Sequence, residues 1–299
     1  MRIPALVLFA LILAGCGPKT EDKPLQYSDA PPGAARQPHR FAIPPLHNPE
    51  NLSLLYQPLL DHLNQLHSGL GLELETSRDF AHYEQKFRAR QPALLLLNPW
   101  QALQAMKVGY HVIAMAGDAE DFKGIFIVRQ DSGIRNPVDL KGKAVSYPSP
   151  TALAAAIMPQ YFLHTHGINI NRDIENRYVG AHESSIMNVY LRNSVIAATW
   201  PPPWRLFQKS HPAEAAQLKV IWETPPLMNN AVMVRDDLPA DLRDKLKKAL
   251  LELGKTPAGM TMLARMETAR FHEANDASYE RVRDYIARFE KEVRPVEKP

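Results

Sequence analysis

Asp131–Gly167, DSGIRNPVDLKGKAVSYPSPTALAAAIMPQYFLHTHG, is the stretch whose reading decides the fold. It reads as a turn-rich entry, a short buried strand from Lys143 to Tyr147, a Pro148-Ser149-Pro150 turn, and a helix that starts near Thr151 and stops at Gly167. In an open α/β sheet, ligands sit beyond the carboxyl ends of the strands. There the first N–H groups of a helix have no intrahelical partner and attract negative charge. The turn from Tyr147 to Thr151, with Ser149 in it, is therefore the first candidate for a binding-site wall.

Toward the N-terminus, Arg40–Ile43 reads as a strand ended by Pro44-Pro45. Leu52, Leu55, Leu59, Leu63 and Leu66 recur at helical steps, with Pro58 expected to kink that helix or mark its effective start. Leu70, Leu72 and Leu74 alternate with polar or small residues as in a half-exposed strand. Ala93–Leu97 is a continuous apolar run, as in a strand covered on both faces, and it ends in Asn98-Pro99-Trp100, which places those residues at a cleft. Val112–Met115 and Ile125–Val128 are assigned to the same first lobe. A second lobe takes in the opening stretch, a strand at Arg177–Val179, a helix from His182 with Ile186 and Val189 inward, and a strand at Val195–Thr199 that runs into Trp200-Pro201-Pro202-Pro203-Trp204. The chain returns through Trp222–Pro226 to a first-lobe strand at Ala231–Val234, so two connections form a hinge. Helices with apolar faces at Leu242, Leu246, Leu250 and Leu253, and at Tyr279, Val282, Ile286 and Phe289, complete the chain.

Several runs carry a resemblance. Asp139-Leu140-Lys141-Gly142-Lys143-Ala144-Val145 is preceded by Val128-Arg129-Gln130-Asp131-Ser132-Gly133-Ile134. It is followed in order by Gly180-Ala181-His182-Glu183, Val220-Ile221-Trp222-Glu223-Thr224-Pro225-Pro226 and Val234-Arg235-Asp236-Asp237-Leu238-Pro239. Together they resemble the phosphate/phosphite/phosphonate-binding family of periplasmic solute-binding proteins. The resemblance implies an α/β, two-lobed periplasmic binding protein, each lobe a mixed open sheet flanked by helices, with a two-strand hinge. Lobe I is expected over 39–128 plus 226–299 and lobe II over 129–225.

The resemblance also implies site residues and departures from them. His182 matches a histidine that hydrogen-bonds a ligand oxygen from the start of a second-lobe helix; the alternative is a helix cap with no ligand. Where phosphoryl-binding members carry Ser-Thr-Ser in the first helical turn, this chain has Ala152-Leu153-Ala154. Each missing hydroxyl removes a hydrogen bond worth ~1 kcal/mol, or about 1.5–3 kcal/mol to a charged partner. The acidic or amide residues expected after Val195–Thr199 are replaced by the Trp200–Trp204 run, and Trp100-Gln101-Ala102 stands beside Asn98-Pro99 in place of aromatic and hydroxyl residues. Trp100, Trp200 and Trp204 either present flat faces to a planar, apolar or cationic ligand or pack as core. Tyr147, Asn98, Thr151 and Ser149 complete the expected set.

No catalytic signature is present: no Gly-x-Ser-x-Gly, no phosphate loop and no dinucleotide fingerprint. The eleven histidines are scattered, and neither a metal nor a cofactor is expected. A net charge of +3, with Lys and Arg interspersed among Asp and Glu, gives no footprint for nucleic acid. Residues 1–15, an Arg2-led apolar run ending in Leu13-Ala14-Gly15 before Cys16, read as a lipoprotein signal peptide, with the single cysteine acylated and residues 16–38 a flexible tether. Taken with the lipoprotein signal, the resemblance implies a monomeric, lipid-anchored periplasmic receptor for a small molecule, with an ABC permease or the periplasmic domain of a sensor kinase as partner. An exported enzyme on the same fold is the third reading.

Overall fold

The structure is a computed structural model that describes residues 38–67 and 70–297. The expected signal peptide, Cys16 and the tether up to residue 37 lie outside the described residues. In chain order the strands are β1 (His39–Ala42), β2 (Leu72–Glu75), β3 (Leu94–Leu97), β4 (Tyr110–Ala116), β5 (Ile125–Arg129), β6 (Ala144–Tyr147), β7 (Glu175–Tyr178), β8 (Ile196–Thr199), β9 (Leu218–Glu223), β10 (Asn230–Arg235) and β11 (Phe271–His272). The helices are α1 (Pro49–Leu66), α2 (Phe80–Arg88), α3 (Pro99–Met106), α4 (Met158–Thr165), α5 (His182–Tyr190), α6 (Pro201–Ser210), α7 (Pro212–Ala215), α8 (Ala240–Glu252), α9 (Pro257–Arg265) and α10 (Glu280–Glu292).

The strands form two mixed sheets, one per lobe. The first has the order β11-β4-β10-β3-β1-β2 and the second β7-β6-β8-β5-β9. In the first, β1 runs parallel to β2 and β3, while β10 pairs antiparallel with β3 and β4. All four residues of β3 are buried, as expected for a strand covered on both faces. Alternation divides them: Leu94 and Leu96 pack with Leu59, Leu63, Leu246 and Leu250 on one face, whereas Leu95 and Leu97 pack with Tyr83, Phe87, Trp100 and Phe289 on the other. The second sheet is divided the same way, with Phe126, Val145 and Ile196 toward one helical layer and Ile125, Ile127 and Ala197 toward α5 and α6.

Two placements differ from the sequence reading. Ile125–Arg129 belongs to the second sheet, where it pairs antiparallel with β8 and β9, not to the first lobe. Its apolar pattern fits either sheet; the strand partner, β9, is hard to read from sequence because Lys219 and Glu223 break its apolar run. Trp200–Trp204 is not an irregular strand end but the start of α6. Three prolines are tolerated there because the first turn of a helix has no use for their missing N–H groups. Pro58 likewise sits inside α1 without ending it; the carbonyl left without its donor belongs to Leu54, which is 64 % exposed.

Segments 117–124 and 224–229 connect the sheets. They are tied side by side: Thr224 N–H donates to the Gly124 carbonyl (2.8 Å), Gly124 N–H to the Thr224 hydroxyl (2.9 Å), and Leu227 N–H to the Phe122 carbonyl (2.9 Å). The C-terminal segment adds a further tie. Buried Arg294, which follows α10, donates through Nε to Gln160 Oε1 (2.9 Å) and through Nη2 to the Pro150 carbonyl (2.9 Å), both in the second lobe. Its Nη1 donates to the Pro295 and Val296 carbonyls, and its guanidinium lies over the Phe289 ring at 5.3 Å. No carboxylate pairs with it among the described residues, and burial pulls its pKa below the ordinary arginine value.

Candidate functional site

The turn after β6 leads into a single turn of π-helix, Leu153–Ile157, continued by α4. The Ala152 carbonyl accepts from both Ala156 N–H (2.7 Å) and Ile157 N–H (3.2 Å), which sets the wider winding. Helix starts leave their first N–H groups unpaired. Here the N–H groups of Leu153, Ala154 and Ala155 have no acceptor among the described residues, and all three residues are buried. The three residues line a cavity between the lobes, which sets unpaired backbone donors beside it. Only methyl and isobutyl groups accompany them; no hydroxyl of the turn helps. Thr151 Oγ1 donates to Glu84 Oε1 (2.5 Å), which leaves its oxygen to accept from Ser149 at 2.9 Å.

Gly124 permits the approach of this turn to the hinge. A Cβ at that position would lie 2.7 Å from the Ala154 carbonyl oxygen and 2.8 Å from Pro159 Cγ. The hinge glycine thus fixes where these donors sit.

Across the cavity, His182 opens α5 and is 3 % exposed. Its Nδ1 lies 2.9 Å from Thr199 Oγ1, at the end of β8, and its ring meets Phe80 edge-on at 6.1 Å. Burial, aided by nearby His47, pushes its pKa down to about 3, so the imidazole is neutral. The sense of the bond between Nδ1 and the Thr199 hydroxyl follows the ring tautomer, and Nε2 has no partner among the described residues. Asn230, at the start of β10 and 6 % exposed, also lines the cavity, and its side-chain amide has no partner there.

First-lobe residues complete the wall. Asn98 caps α3 by accepting from Gln101 N–H (3.0 Å) and donates through Nδ2 to the Thr151 carbonyl (3.2 Å) across the lobes. Gln101 Nε2 donates to Glu84 at 3.1 Å. Burial holds the Glu84 carboxyl above the usual glutamate range, against the opposing pull of its hydrogen bonds from Thr151 and Gln101. Phe80, Phe122 and Trp200 supply aromatic surface, the last two in contact at 5.4 Å. The cavity volume is about 20 Å³, which is room for about one water. On another rim, Arg205 of α6 clamps Asp121 (2.6 and 2.9 Å) and reaches Glu267 of the first lobe at 2.5 Å, and Lys209 also pairs with Glu267. The lobes are closed on each other.

Of the residues expected from sequence, His182, Trp200 and Asn98 line this cavity. Ser149 and Thr151 stand one layer behind, bonded to each other and to Glu84. Three residues lie elsewhere. Trp100 is 2 % exposed and packs between the first sheet and α10, because the capped start of α3 turns its ring away from the cleft. Trp204 lies one turn into α6 and stacks on Phe207 in the second-lobe core. Tyr147 is fully buried against Tyr178, on the core side of β6. Asn230, Gln101, Glu84 and Phe80 were not singled out. Asn230 had a readable signal, a polar residue abutting an all-apolar strand as Asn98 does; Glu84 had none.

Comparison with known proteins gives the same architecture. Residues 41–279 match the family of ABC-transporter phosphonate periplasmic substrate-binding proteins. This chain belongs to that family. It is 25 % identical over 247 residues to the phosphonates-binding periplasmic protein of Escherichia coli K12, covering 79 % of this chain and 72 % of that one. It is 23 % identical over 186 residues to a probable ABC-transporter phosphite-binding protein of Prochlorococcus marinus MIT 9301, covering 58 % and 63 %. In three dimensions it superposes on a binding component of a Pseudomonas aeruginosa ABC phosphonate transporter with a TM-score of 0.79 at 18 % identity, covering 85 % and 87 % of the two chains. A Prochlorococcus marinus homologue crystallised with methylphosphonate gives a TM-score of 0.77 at 19 % identity, covering 85 % and 98 %. Family members are periplasmic solute-binding components of transporters rather than enzymes. No helix among the described residues is long and apolar enough to cross a membrane.

Proposed function

We propose that this protein captures a small oxyanion between its lobes and presents the closed form to an ABC permease, with a ligand preference shifted away from phosphate. The observation that carries this reading is the trio of unpaired N–H groups at Leu153, Ala154 and Ala155, residues that line one cavity together with buried His182 and Asn230. A cationic ligand is disfavoured, because the lining contains donors and no carboxylate. The missing hydroxyls at residues 152, 153 and 154 weaken the hold on a multiply charged phosphoryl group, and the Trp200, Phe80 and Phe122 rings favour a ligand with an apolar part. Ligand that binds the closed form better shifts the population toward it, which is the signal a permease reads. Cys16 anchors the body through acyl chains, each buried CH₂ contributing ~0.8 kcal/mol.

Thermal-shift and calorimetric titration of the purified protein tests the reading. Inorganic phosphate is expected to give a weak response, and a short-chain organic oxyanion a clear one; a ligand at about 100 Kd adds about 2.7 kcal/mol of stability. His182→Phe keeps ring volume and removes both nitrogens, and is expected to weaken the responding anion about 10–100-fold, the loss of one charge-assisted hydrogen bond. Micromolar phosphate affinity, or unchanged anion affinity in His182→Phe, refutes it.

A further inference from the structure

Glu267 breaks three local rules at once. Helix α9 ends in a Schellman turn, in which Thr268 N–H donates to the Leu263 carbonyl (3.0 Å) and Glu267 N–H to the Ala264 carbonyl (3.3 Å). That turn holds Glu267, the residue after the C-cap, at φ +52°, in the left-handed region where glycine or asparagine is the usual occupant. Its carboxylate stands at the negative end of the helix dipole. Its side chain is only 8 % exposed, so the charge has lost most of its water.

A residue so at odds with its neighbours along the chain is held from elsewhere. Both partners of the carboxylate lie on α6 of the second lobe: Arg205 Nε donates to Oε2 at 2.5 Å, and Lys209 Nζ donates to Oε1. No other group pairs with that carboxylate among the described residues, and Lys209 pairs with no other carboxylate. We infer that Arg205, Lys209 and Glu267 form an ionic latch that sets the balance between closed and open lobes. Parting the lobes strips Glu267 of both cations and leaves its three local costs unopposed. The Arg205 and Lys209 side chains are 38 % and 66 % exposed, so dissolved salt reaches the latch and loosens it, although no charged side chain lines the cavity itself.

Acrylamide quenching of tryptophan fluorescence reads the latch in the purified full chain, with no ligand needed. Trp200 stands at the start of α6, is 6 % exposed, and lines both the site cavity and a neighbouring one that Glu267 also lines. Its share of the quenching is the difference between each protein and its Trp200→Phe derivative. Glu267→Gly suits the left-handed backbone and removes the carboxylate. It is expected to raise the Trp200 quenching constant about threefold or more, and to raise the radius of gyration in small-angle X-ray scattering, as the population shifts toward open lobes. Wild type is expected to move the same way between about 0.1 and 1 M NaCl, as the screening length falls from about 10 to 3 Å, and Glu267→Gly is not. Lys209→Met, at an exposed position, is expected to fall between the two, and it decides the matter should Glu267→Gly fail to fold. Wild-type quenching in the folded variants overturns the latch. So does an opening of the variants that salt does not reproduce in wild type, since packing and not charge would then hold the lobes. An anion screen that finds no ligand overturns the oxyanion reading and leaves the latch standing.

Discussion

Arg294 offers a sharp test of how the two lobes are held. It is a buried cation with four hydrogen bonds to neutral oxygens and no carboxylate partner among the described residues. Arg294→Met keeps the length of the side chain and removes the charge together with its burial cost. It also orphans Gln160 Oε1 and the Pro150 carbonyl, at ~1–3 kcal/mol each, offset in part by the cation no longer buried, for a net loss of about 2–4 kcal/mol. Arg294→Lys is expected to be worse, although it is the smaller chemical change. An ammonium is more strongly hydrated than a guanidinium, and its point charge cannot span acceptors spread over Gln160, Pro150 and Val296. At about 2 °C per kcal/mol for a chain of this size, the Met protein should melt about 4–8 °C below wild type and the Lys protein lower still. Thermal and urea unfolding measure both. A Lys variant as stable as the Met variant, or a Met variant within 1–2 °C of wild type (a loss below about 1 kcal/mol), refutes this account of the C-terminal tie.

Two further substitutions probe the site. Glu84 has a folded-state pKa above its ordinary value, so its contribution to stability is present below the ordinary glutamate range and is lost as pH rises through the raised value. Glu84→Gln removes that loss; the variant should gain stability relative to wild type between pH 4.5 and 7.5 in urea unfolding, and a pH-independent difference would count against the assignment. Gly124→Ala drives a methyl group into the Ala154 carbonyl and Pro159, and is expected to cost about 1–3 kcal/mol and to weaken anion binding. Wild-type melting and affinity in that variant would show that the donor trio does not depend on the hinge glycine.

Much of the fold was written in local pattern. The alternating strands and the amphipathic helices have periods that only one element type satisfies, and the leucine run of β3 is marked as a strand by its shortness and the breakers that flank it. The unit of β6, turn and helix also reads directly, because proline and glycine punctuate it. What could not be read were properties of the third dimension. Ile125–Arg129 has the same apolar character in either sheet, and only pairing with β8 and β9 decides. Trp100 and Trp204 stand at strand ends in the sequence, but each has been carried into a helix whose first turn rotates the ring into core. Strand ends locate a site; the rotation of the next residue decides who faces it. Glu84 illustrates the remainder, a charged residue on an ordinary amphipathic helix whose role comes from Gln101 and from Thr151, 67 positions away.

The paired connecting segments bear on how such a body can move. Two lengths of chain laced flank to flank by Gly124, Thr224, Phe122 and Leu227 behave as a ribbon, pliant across its flat side and stiff against sliding of one edge past the other. Phe122 belongs to that ribbon and also touches Trp200 in the cavity wall. The cavity wall and the pivot therefore share a side chain, and a ligand held there would rest against the pivot itself.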